Sequence, residues 1–415
     1  MSVLTSPLAD LTPNPDWAKL PLFDRSGWKR VRFGDVVRQL KEQVDPEADG
    51  IERYVAGEHM ETENVHIRKW GTVGDGYLGP AFIRGFRKGQ VLYGSRRTYL
   101  KKVAVAEWDG VTANTTFVLE AVEGKLLQEL LPWLMLSDRF TNHSVAESKG
   151  STNPYINFPD IAKFEFELPP LDQQRRIAEI LWSVDEAVTA NGKIERACVD
   201  LVESTAKNAV FPFGYSPSRS ELDARYHRRY KALRAGELYG VASGNGEPSA
   251  SGNGSVLYFK VNDFNINDDE LFIARGGTLF DPEVNPKVRI FPPGTVIFPK
   301  RGASIFLNKV GVTRRAVALD PNLMGVVPNE RVIRSEYLYW LIKLTEIGRI
   351  ADTTSLPQLN HKHLLPLVFP VPSLETQDEF LTHVERLRAA QKLGAAHAGS
   401  LQTLNQIILN TFFVS

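Results

Sequence analysis

The sequence predicts an α+β fold: two mixed α/β domains in tandem repeat, separated by two long helices packed as an antiparallel coiled coil. Three observations predict this fold. A strand–proline–helix pattern occurs twice, each copy opens a long segment with an apolar stripe, and short strand-like runs precede each copy. Because one helix alone would expose its stripe, packing the two helices together is the simplest way to bury both stripes.

The repeat is clearest where a strand-like run ends at proline and a helix begins. An offset of 203 residues separates three matched pairs: Pro169 and Pro372, Leu171 and Leu374, and Gln174 and Gln377. The same offset places Ser151–Asn157 over Thr354–Asn360. A register shared over this length indicates that one unit has been duplicated.

The repeat divides the chain into five predicted parts. These are an N-terminal arm (residues 1–27), a first mixed domain (28–170), a central helix (171–211), a second mixed domain with the linker that leads into it (212–373), and a distal helix (374–415). In the first domain, Gly89–Val105 is predicted to be a hairpin around a basic turn, Phe117–Glu120 a strand and Leu126–Phe140 a helix. Gly294–Ser304 and Tyr337–Ile347 repeat the hairpin and the helix in the second domain.

The two long helices are predicted from apolar periodicity. Asp172 is the predicted N-cap of the central helix. Gly394 and Gly399 lower the helix propensity of the distal segment, which is therefore predicted to be one helix or two helical pieces. The stripe positions of the two segments are Ile177, Leu181, Val184 and Val188, and then Leu401, Leu404 and Ile408.

Composition limits the class of protein. The 49 residues of Lys and Arg together balance the 49 of Asp and Glu, so the net charge does not indicate a polyanionic partner. A nucleic-acid site would have to rest on local basic patches. Cys198 is the single cysteine, which excludes a disulfide framework and indicates a reducing cytoplasm. The sequence has no 18-residue apolar run and no basic, apolar start, so neither a membrane span nor a signal peptide is predicted.

Catalytic motifs are missing from the sequence. It contains no phosphate-binding Gly-x-x-x-x-Gly-Lys loop, no zinc spacing of Cys and His, and no Gly-x-Ser-x-Gly elbow. Asn153-Pro154-Tyr155 resembles the Asn-Pro-Pro-Tyr loop of adenine methyltransferases but lacks one proline. Glu147-Ser-Lys149 precedes Pro159-Asp160, the wrong order for a nuclease pattern. We therefore predict no catalytic residue, no metal site and no cofactor.

Basic and aromatic residues recur at matching places in the two predicted hairpins. An arginine in a turn can fork onto guanine or clamp a phosphate, whereas a lysine supplies mainly sequence-independent attraction. The alternative is that these are solvated turn charges and that the long helices only dimerise the protein. The candidate DNA-binding residues are Arg96, Arg97, Tyr99 and Lys101 in the first domain, and Lys300, Arg301 and Ser304 in the second.

The chain resembles the DNA-specificity (S) subunit of type I restriction-modification systems. The resemblance rests on Gly150–Asn157, on Phe166–Leu181 with its Pro-Leu-x-x-Gln-x-x-Ile helix start, and on the second copy at 354–380. The second copy departs from the pattern, with Ser373 in place of a proline and Phe380 in place of the isoleucine.

The resemblance implies a non-catalytic subunit with two target-recognition domains. Each domain would recognise one half of a split sequence in double-stranded DNA, and the helices would fix the gap. Two SAM-dependent adenine methyltransferase (M) subunits and motor-nuclease restriction (R) subunits are the implied protein partners. The helix positions predicted for partner docking are Gln174, Ile177, Leu181, Val184, Val188, Gln377, Leu401, Leu404 and Ile408. The rival classes are a stand-alone methyltransferase or nuclease, and a helical scaffold that binds no DNA.

Overall fold

The computed structural model of the chain describes residues 24–226, 230–249, 254–267 and 271–413. The chain divides into two compact units, which we call the first unit (Met1–Lys193 with Gly394–Ser415) and the second unit (Ile194–Leu393). Both boundaries fall inside long helices, so each unit contains one strand-rich body and a half of each helix. No described helix has the length and hydrophobicity that crossing a membrane requires.

The first unit is built from short strands and short helices that lead into the first long helix. Its elements are β1 (Lys29–Arg32), α1 (Phe33–Val36), β2 (Val37–Leu40), β3 (Arg53–Val55), β4 (Gly71–Thr72), β5 (Phe82–Phe86), β6 (Val91–Gly94), β7 (Val103–Val105), β8 (Gly110–Ala113), β9 (Thr116–Ala121), α2 (Leu131–Leu136), α3 (Asp138–Ala146), α4 (Phe158–Ile161), β10 (Glu165–Leu168) and α5 (Leu171–Val210).

The second unit repeats this order of elements with three differences: an added first helix, an added strand β14, and one helix, α8, in place of α2 and α3. Its elements are α6 (Arg219–Arg225), β11 (Tyr230–Arg234), α7 (Ala235–Leu238), β12 (Tyr239–Ser243), β13 (Val256–Phe259), β14 (Phe272–Ile273), β15 (Thr278–Phe280), β16 (Ile290–Phe291), β17 (Val296–Pro299), β18 (Gly311–Thr313), β19 (Val317–Leu319), β20 (Leu323–Pro328), α8 (Ser335–Thr345), α9 (His361–Leu364), β21 (Val368–Pro372) and α10 (Leu374–Phe412).

The sheets of the two units correspond strand by strand. The first unit has sheets β1-β10, β2-β9-β6-β7 and β4-β3-β8-β5. The second has β11-β21, β15-β13-β19-β16 and β12-β20-β17-β18, the last extended by β14. Even the parallel pair recurs, as β3 with β8 and as β13 with β19. The predicted tandem repeat of mixed α/β domains is therefore confirmed.

The two long helices contribute to the core of each unit at opposite ends. In the first unit, the start of α5 shares a core with the end of α10, through Ile177 and Leu181 with Leu409 and Phe412. In the second unit, the end of α5 shares a core with the start of α10, through Val202 and Val210 with Phe380 and Val384. The helices therefore run antiparallel, as the apolar stripes predict.

Two local predictions were wrong, and the structure decides between the two alternatives for the distal helix. The helix α5 begins at Leu171, so Asp172 lies in its first turn, where a carboxylate still favours the helix dipole, and is not the N-cap. The Leu126–Phe140 helix is two helices, because Ser137 interrupts it and its hydroxyl accepts the Phe140 amide to cap α3. The distal helix is one continuous helix through Gly394, since packing at both ends outweighs the cost of its glycines, about 1 kcal/mol each.

Candidate nucleic-acid interface

The hairpin of β6 and β7 carries what we call the first basic turn, residues 95–102. The strands pair antiparallel, as the sequence predicts, and a 3-10 helix at Thr98–Leu100 forms the tip. Arg97 and Lys101 flank that helix with φ angles of 49° and 46°. Left-handed backbone is costly for side chains of this size, so the surrounding structure must hold the turn in one conformation.

The Asn-Pro-Tyr segment supplies part of that support. The Arg97 amide donates to the Pro154 carbonyl at 2.7 Å, and the Ile156 amide donates to the Ser95 carbonyl at 2.9 Å. Arg96 and Tyr155 form an isolated β-bridge across the same junction. Two motifs that the sequence shows as separate features therefore form one substructure.

The second basic turn, residues 300–310, is held in the same way. The Gly302 amide donates to the Pro357 carbonyl at 2.9 Å, and the Leu359 amide donates to the Lys300 carbonyl at 2.8 Å. Arg301 and Gln358 form the bridge that corresponds to Arg96 and Tyr155. The duplication therefore extends to single backbone hydrogen bonds of the turn.

Three of the predicted residues of the first turn lie together on the surface. Arg96 and Arg97 are exposed, and the Tyr99 side chain is 53% exposed. The Arg96 guanidinium lies 6.0 Å from the centroid of the Tyr155 ring, a cation–π distance that orients it. This surface offers two forked cations and a phenol to a ligand.

Lys101, in contrast, does not face a ligand. Its side chain is 13% exposed, and its Nζ lies 2.7 Å from Asp138 Oδ1 and 2.8 Å from Glu63 Oε1. Burial lowers the pKa of Lys101, but these carboxylates outweigh it, and the pKa is raised overall. The Lys101 ammonium therefore stabilises the turn from beneath through two ion pairs, and a contact with DNA would have to replace them.

Arg301 is exposed in the second turn, whereas its two predicted neighbours are tied to the protein. Lys300 Nζ donates to the Ser243 hydroxyl at 2.7 Å, and burial, aided by Arg301, lowers the pKa of Lys300. The Ser304 hydroxyl donates to the Arg301 carbonyl at 3.1 Å. Both side chains therefore already have partners within the protein, and their role as direct DNA contacts stays a prediction.

Sequence reasoning missed Phe306. The residues that close the two turns, Val91 with Val105 and Val296 with Val312, are 14 and 16 residues apart. Counted back from the left-handed residues Lys101 and Asn308, the counterpart of Tyr99 is therefore Phe306 and not Ser304. Phe306 is 55% exposed, close to the value of Tyr99. No sequence pattern revealed the two-residue insertion.

Four of the predicted docking residues on the long helices are buried within their own unit. Ile177 and Leu181 are 0% exposed, Gln174 is 1% exposed and Gln377 is 0% exposed. Their side chains cannot contact a partner directly, because the strand-rich bodies already cover that part of the stripe. The remaining five, Val184, Val188, Leu401, Leu404 and Ile408, are half-buried.

Other apolar side chains of the helices are more exposed. Ile194 and Leu201 on α5 are 54% and 50% exposed, and Leu393 on α10 is 58% exposed. The apolar pattern of the sequence was not used to predict a docking role for them.

No group of three or more His, Cys, Asp or Glu residues in the described ranges could hold a metal ion.

The sequence comparisons all find similarity to type I restriction specificity proteins. A family model described as the type I restriction modification DNA specificity domain matches residues 26–197. The HindI specificity subunit of Haemophilus influenzae is 23% identical over 205 residues, 48% of this chain and 44% of the relative. The MjaVIII specificity subunit of Methanocaldococcus jannaschii is 21% identical over 405 residues, 88% of this chain and 86% of the relative. The first of these matches spans under half of the relative's length.

Solved structures share the fold. A chain from a structure of type I R-M complex assembly superposes with a TM-score of 0.61 at 21% identity, covering 94% of this chain and 98% of that chain. The type I restriction-modification S subunit from M. genitalium gives a TM-score of 0.58 at 16% identity, covering 96% of this chain and 99% of that chain. At these identities the likeness establishes the architecture.

Proposed function

We propose that this chain, a type I restriction-modification specificity (S) subunit by its family resemblance, acts as the sequence-specific DNA-binding subunit of such a complex. Each unit recognises one half of a bipartite DNA target. The helices α5 and α10 fix the spacing between the halves and dock the methyltransferase subunits. The chain itself is non-catalytic and acts in the cytoplasm.

The observation that carries this proposal is the duplicated turn. At equivalent places, the basic turn of each unit exposes both an arginine and an aromatic ring, Arg96 and Tyr99 in the first turn and Arg301 and Phe306 in the second. An arginine can pair with guanine O6 and N7 in the major groove, and apolar ring edges contact thymine methyl groups or sugars. Two such tips on one chain suit a target made of two separated blocks.

The rigidity of the turns supports recognition over general attraction to DNA. Three kinds of support hold the backbone of the turns in one conformation. They are the left-handed residues, the hydrogen bonds to the Pro154 and Pro357 carbonyls, and the ion pairs of the largely buried Lys101 ammonium in the first turn. A preorganised turn loses little conformational entropy on binding and holds its guanidinium in one direction. Solvated turn charges would need none of this support.

The helices suit the role of a spacer. α5 has 40 residues and α10 has 39, so each is about 60 Å long at 1.5 Å per residue. Two antiparallel helices of this length resist bending more than a flexible linker does. We expect the target gap to be a fixed number of base pairs for this reason.

Zero net charge predicts weak binding to DNA by the isolated chain. Most affinity for DNA comes from phosphate contacts, which the partners would supply. Two SAM-dependent adenine methyltransferase subunits complete the modifying complex, and motor-nuclease subunits join for cleavage.

The test is selection from random duplexes by the chain, with and without the methyltransferase subunit encoded beside it. We expect enrichment by the complex of two short blocks around a gap of constant length. A formed complex that enriches no motif would refute recognition by these turns. The helical scaffold or dimerisation protein would then be the better description, with Ile194, Leu201 and Leu393 as its apolar surface.

A further inference from the structure

The two basic turns have the same backbone support but present different side chains. Arg97 and Gly302 are equivalent, because each lies in the left-handed region and donates its amide to a proline carbonyl, that of Pro154 or Pro357. Arg97 is exposed, whereas a glycine has no side chain to offer. The second turn therefore presents one guanidinium fewer than the first.

The segments that support the turns differ as well. Tyr155 and Gln358 are equivalent, since each forms a β-bridge with the exposed arginine of its turn. Two residues earlier, the first unit has Asn153 and the second has Leu356. Both positions are exposed. A polar amide in the first unit is therefore replaced by an apolar side chain in the second.

Three large apolar side chains are exposed on the second turn and its supporting segment. We call Phe306, Leu307 and Leu356 the apolar tip; they are 55%, 63% and 64% exposed. The first two end the 3-10 helix that follows Gly302, and the third precedes Pro357, whose carbonyl accepts the Gly302 amide at 2.9 Å. Single exposed apolar residues are ordinary, but several on one substructure mark an interaction surface.

The first turn is more polar at the matching places. Leu100, the equivalent of Leu307, is half-buried. The exposed side chains there are two guanidiniums and two phenols, those of Arg96, Arg97, Tyr99 and Tyr155. The same backbone framework therefore presents mainly hydrogen-bonding groups in one unit and mainly apolar groups in the other.

The two surfaces suit different features of a DNA groove. Guanine presents two acceptors in the major groove, which a forked guanidinium can meet, whereas thymine presents the apolar C5-methyl group. A leucine or phenylalanine side chain forms no hydrogen bond with a base edge but can pack against that methyl group. The composition of each turn therefore predicts a preference for a base.

We propose that the apolar tip recognises the C5-methyl group of a thymine in the block of the target bound by the second unit, whereas the first turn recognises its block mainly through hydrogen bonds. The inference rests on the proposed function and adds to it the feature of the base that each unit recognises.

DNA suits the apolar tip better than a protein partner does. Arg301 is exposed on the same turn, and its equivalent, Arg96, is exposed at the matching place of the first unit. A guanidinium there attracts phosphates and brings the neighbouring side chains toward a groove. A protein partner remains the competing occupant, and its loss from a variant is one outcome of the test.

The test uses the complex with the methyltransferase subunit and the duplex that this complex enriches. The block whose specificity relaxes in Arg301→Ala belongs to the second unit. Each thymine is replaced in turn by uracil, which removes the C5-methyl group and keeps the hydrogen-bonding edge. In that block, we expect at least one uracil to weaken binding about fourfold or more, the effect of one buried methyl group, and uracil in the other block to weaken it less than about twofold.

A combined variant locates the methyl contact on the protein. Phe306→Ala with Leu356→Asn removes most of the apolar tip and introduces the amide that the first unit has at Asn153. The effect of uracil should then fall below about twofold, because two changes that remove the same contact are not additive. Val284→Asn, at a 65% exposed position between β15 and β16, is the matched control and should keep the full effect of uracil. Thermal unfolding checks that each variant is folded.

The outcomes distinguish this inference from the proposed function. An enriched target whose second block needs no thymine, or tolerates uracil throughout, would overturn the inference alone. So would an effect of uracil that persists in the combined variant, or loss of the methyltransferase subunit from that variant, which would make the apolar tip a protein-docking surface. The absence of an enriched target, or of a block that responds to Arg301→Ala, would refute recognition by these turns and the inference with it.

Discussion

Gln174 and Gln377 make the same three hydrogen bonds in the two units. Each amide oxygen accepts a backbone amide, that of Leu127 or Arg334, and each amide nitrogen donates to two carbonyls. Those carbonyls belong to Lys125 and Pro169 in the first unit, and to Val332 and Pro372 in the second. The glutamine therefore joins the start of its long helix to the strand-rich body.

Replacing Gln174 by glutamate should destabilise the first unit. The carboxylate would lose the donor and face two carbonyl oxygens in a buried place, at a cost of about 2–4 kcal/mol. Urea denaturation of the full chain measures the change. Glu179→Gln, the reverse change at an exposed position of the same helix, should stay within about 0.5 kcal/mol of wild type. An unchanged urea midpoint for the Gln174→Glu variant would mean that the three hydrogen bonds of Gln174 do not stabilise the unit.

Arg96→Ala and Arg301→Ala should each affect one half of the target. The loss of a guanidinium that pairs with a base costs about 1–3 kcal/mol and relaxes specificity at that block alone. Binding by the complex with the methyltransferase subunit is measured on duplexes in which one block at a time is altered. An equal loss of specificity at both blocks for either variant would rule out independent recognition of the two blocks by the two units.

Phe306→Ala should weaken DNA binding by about 1 kcal/mol or more, because it removes an exposed ring from the turn that carries Arg301. Ser304→Ala should have little effect, since its hydroxyl bonds within the turn. Tyr99→Ala should match Phe306→Ala, but for the other block. The same binding assay distinguishes these positions, and a larger effect of Ser304→Ala than of Phe306→Ala would favour Ser304 as the contact residue of the second turn.

Lys101→Met should act through folding and not through phosphate contact. It leaves Asp138 and Glu63 without their cation and loosens the turn, which lowers stability and affinity together. The dependence of log affinity on log salt should keep its slope. Arg97→Ala, by contrast, should reduce that slope by about 0.9 if the exposed guanidinium neutralises one phosphate. A reduced slope for the Lys101 variant would mean that its ammonium reaches DNA.

His66 predicts a pH-dependent contribution to stability. Its Nε2 lies 2.6 Å from Asp185 Oδ2 on α5, and its Nδ1 lies 3.3 Å from Glu107 Oε1. The hydrogen bond with Asp185 raises the pKa of His66 above its ordinary value of 6.5, against the opposing effect of burial. Since the folded-state pKa is the higher one, the stabilisation is complete below about pH 6.5 and is lost as pH rises through the raised pKa. It should amount to about 0.5–1 kcal/mol. Denaturation midpoints from about pH 5 to pH 9 should lose this component in His66→Gln, with Glu107→Gln having a smaller effect.

The sequence predicted the repeat, the hairpins and the long helices because each has a local pattern: a constant offset, alternation around a turn, or a 3.6-residue stripe. It could not predict which part of a stripe the chain itself covers. Ile177 and Val184 lie on the same predicted face, but the first is buried under the strand-rich body and the second is half-buried.

The side-chain contacts within the turns could not be predicted from the sequence either. Lys101 and Arg97 look alike in the sequence, as basic residues of one turn. They differ because Lys101 is ion-paired with Asp138 and Glu63, 37 and 38 residues away along the chain, whereas Arg97 is exposed. Phe306 was missed because the two hairpins were matched by their first strands and basic residues, and that pattern does not show that the second turn is two residues longer.

In the first basic turn, the groups that hold the backbone differ from the side chains that are exposed, and this affects which positions can change in evolution. The backbone is supported by the Lys101 ion pairs, the Pro154 carbonyl and the backbone bridge of Arg96 to Tyr155, and none of these uses the exposed side chains of Arg96 and Tyr99. Substitutions at the exposed positions should therefore carry a small stability penalty, so the surface chemistry of the turn can drift while its shape is conserved. Such mutational tolerance is what selection for new binding preferences requires of a scaffold.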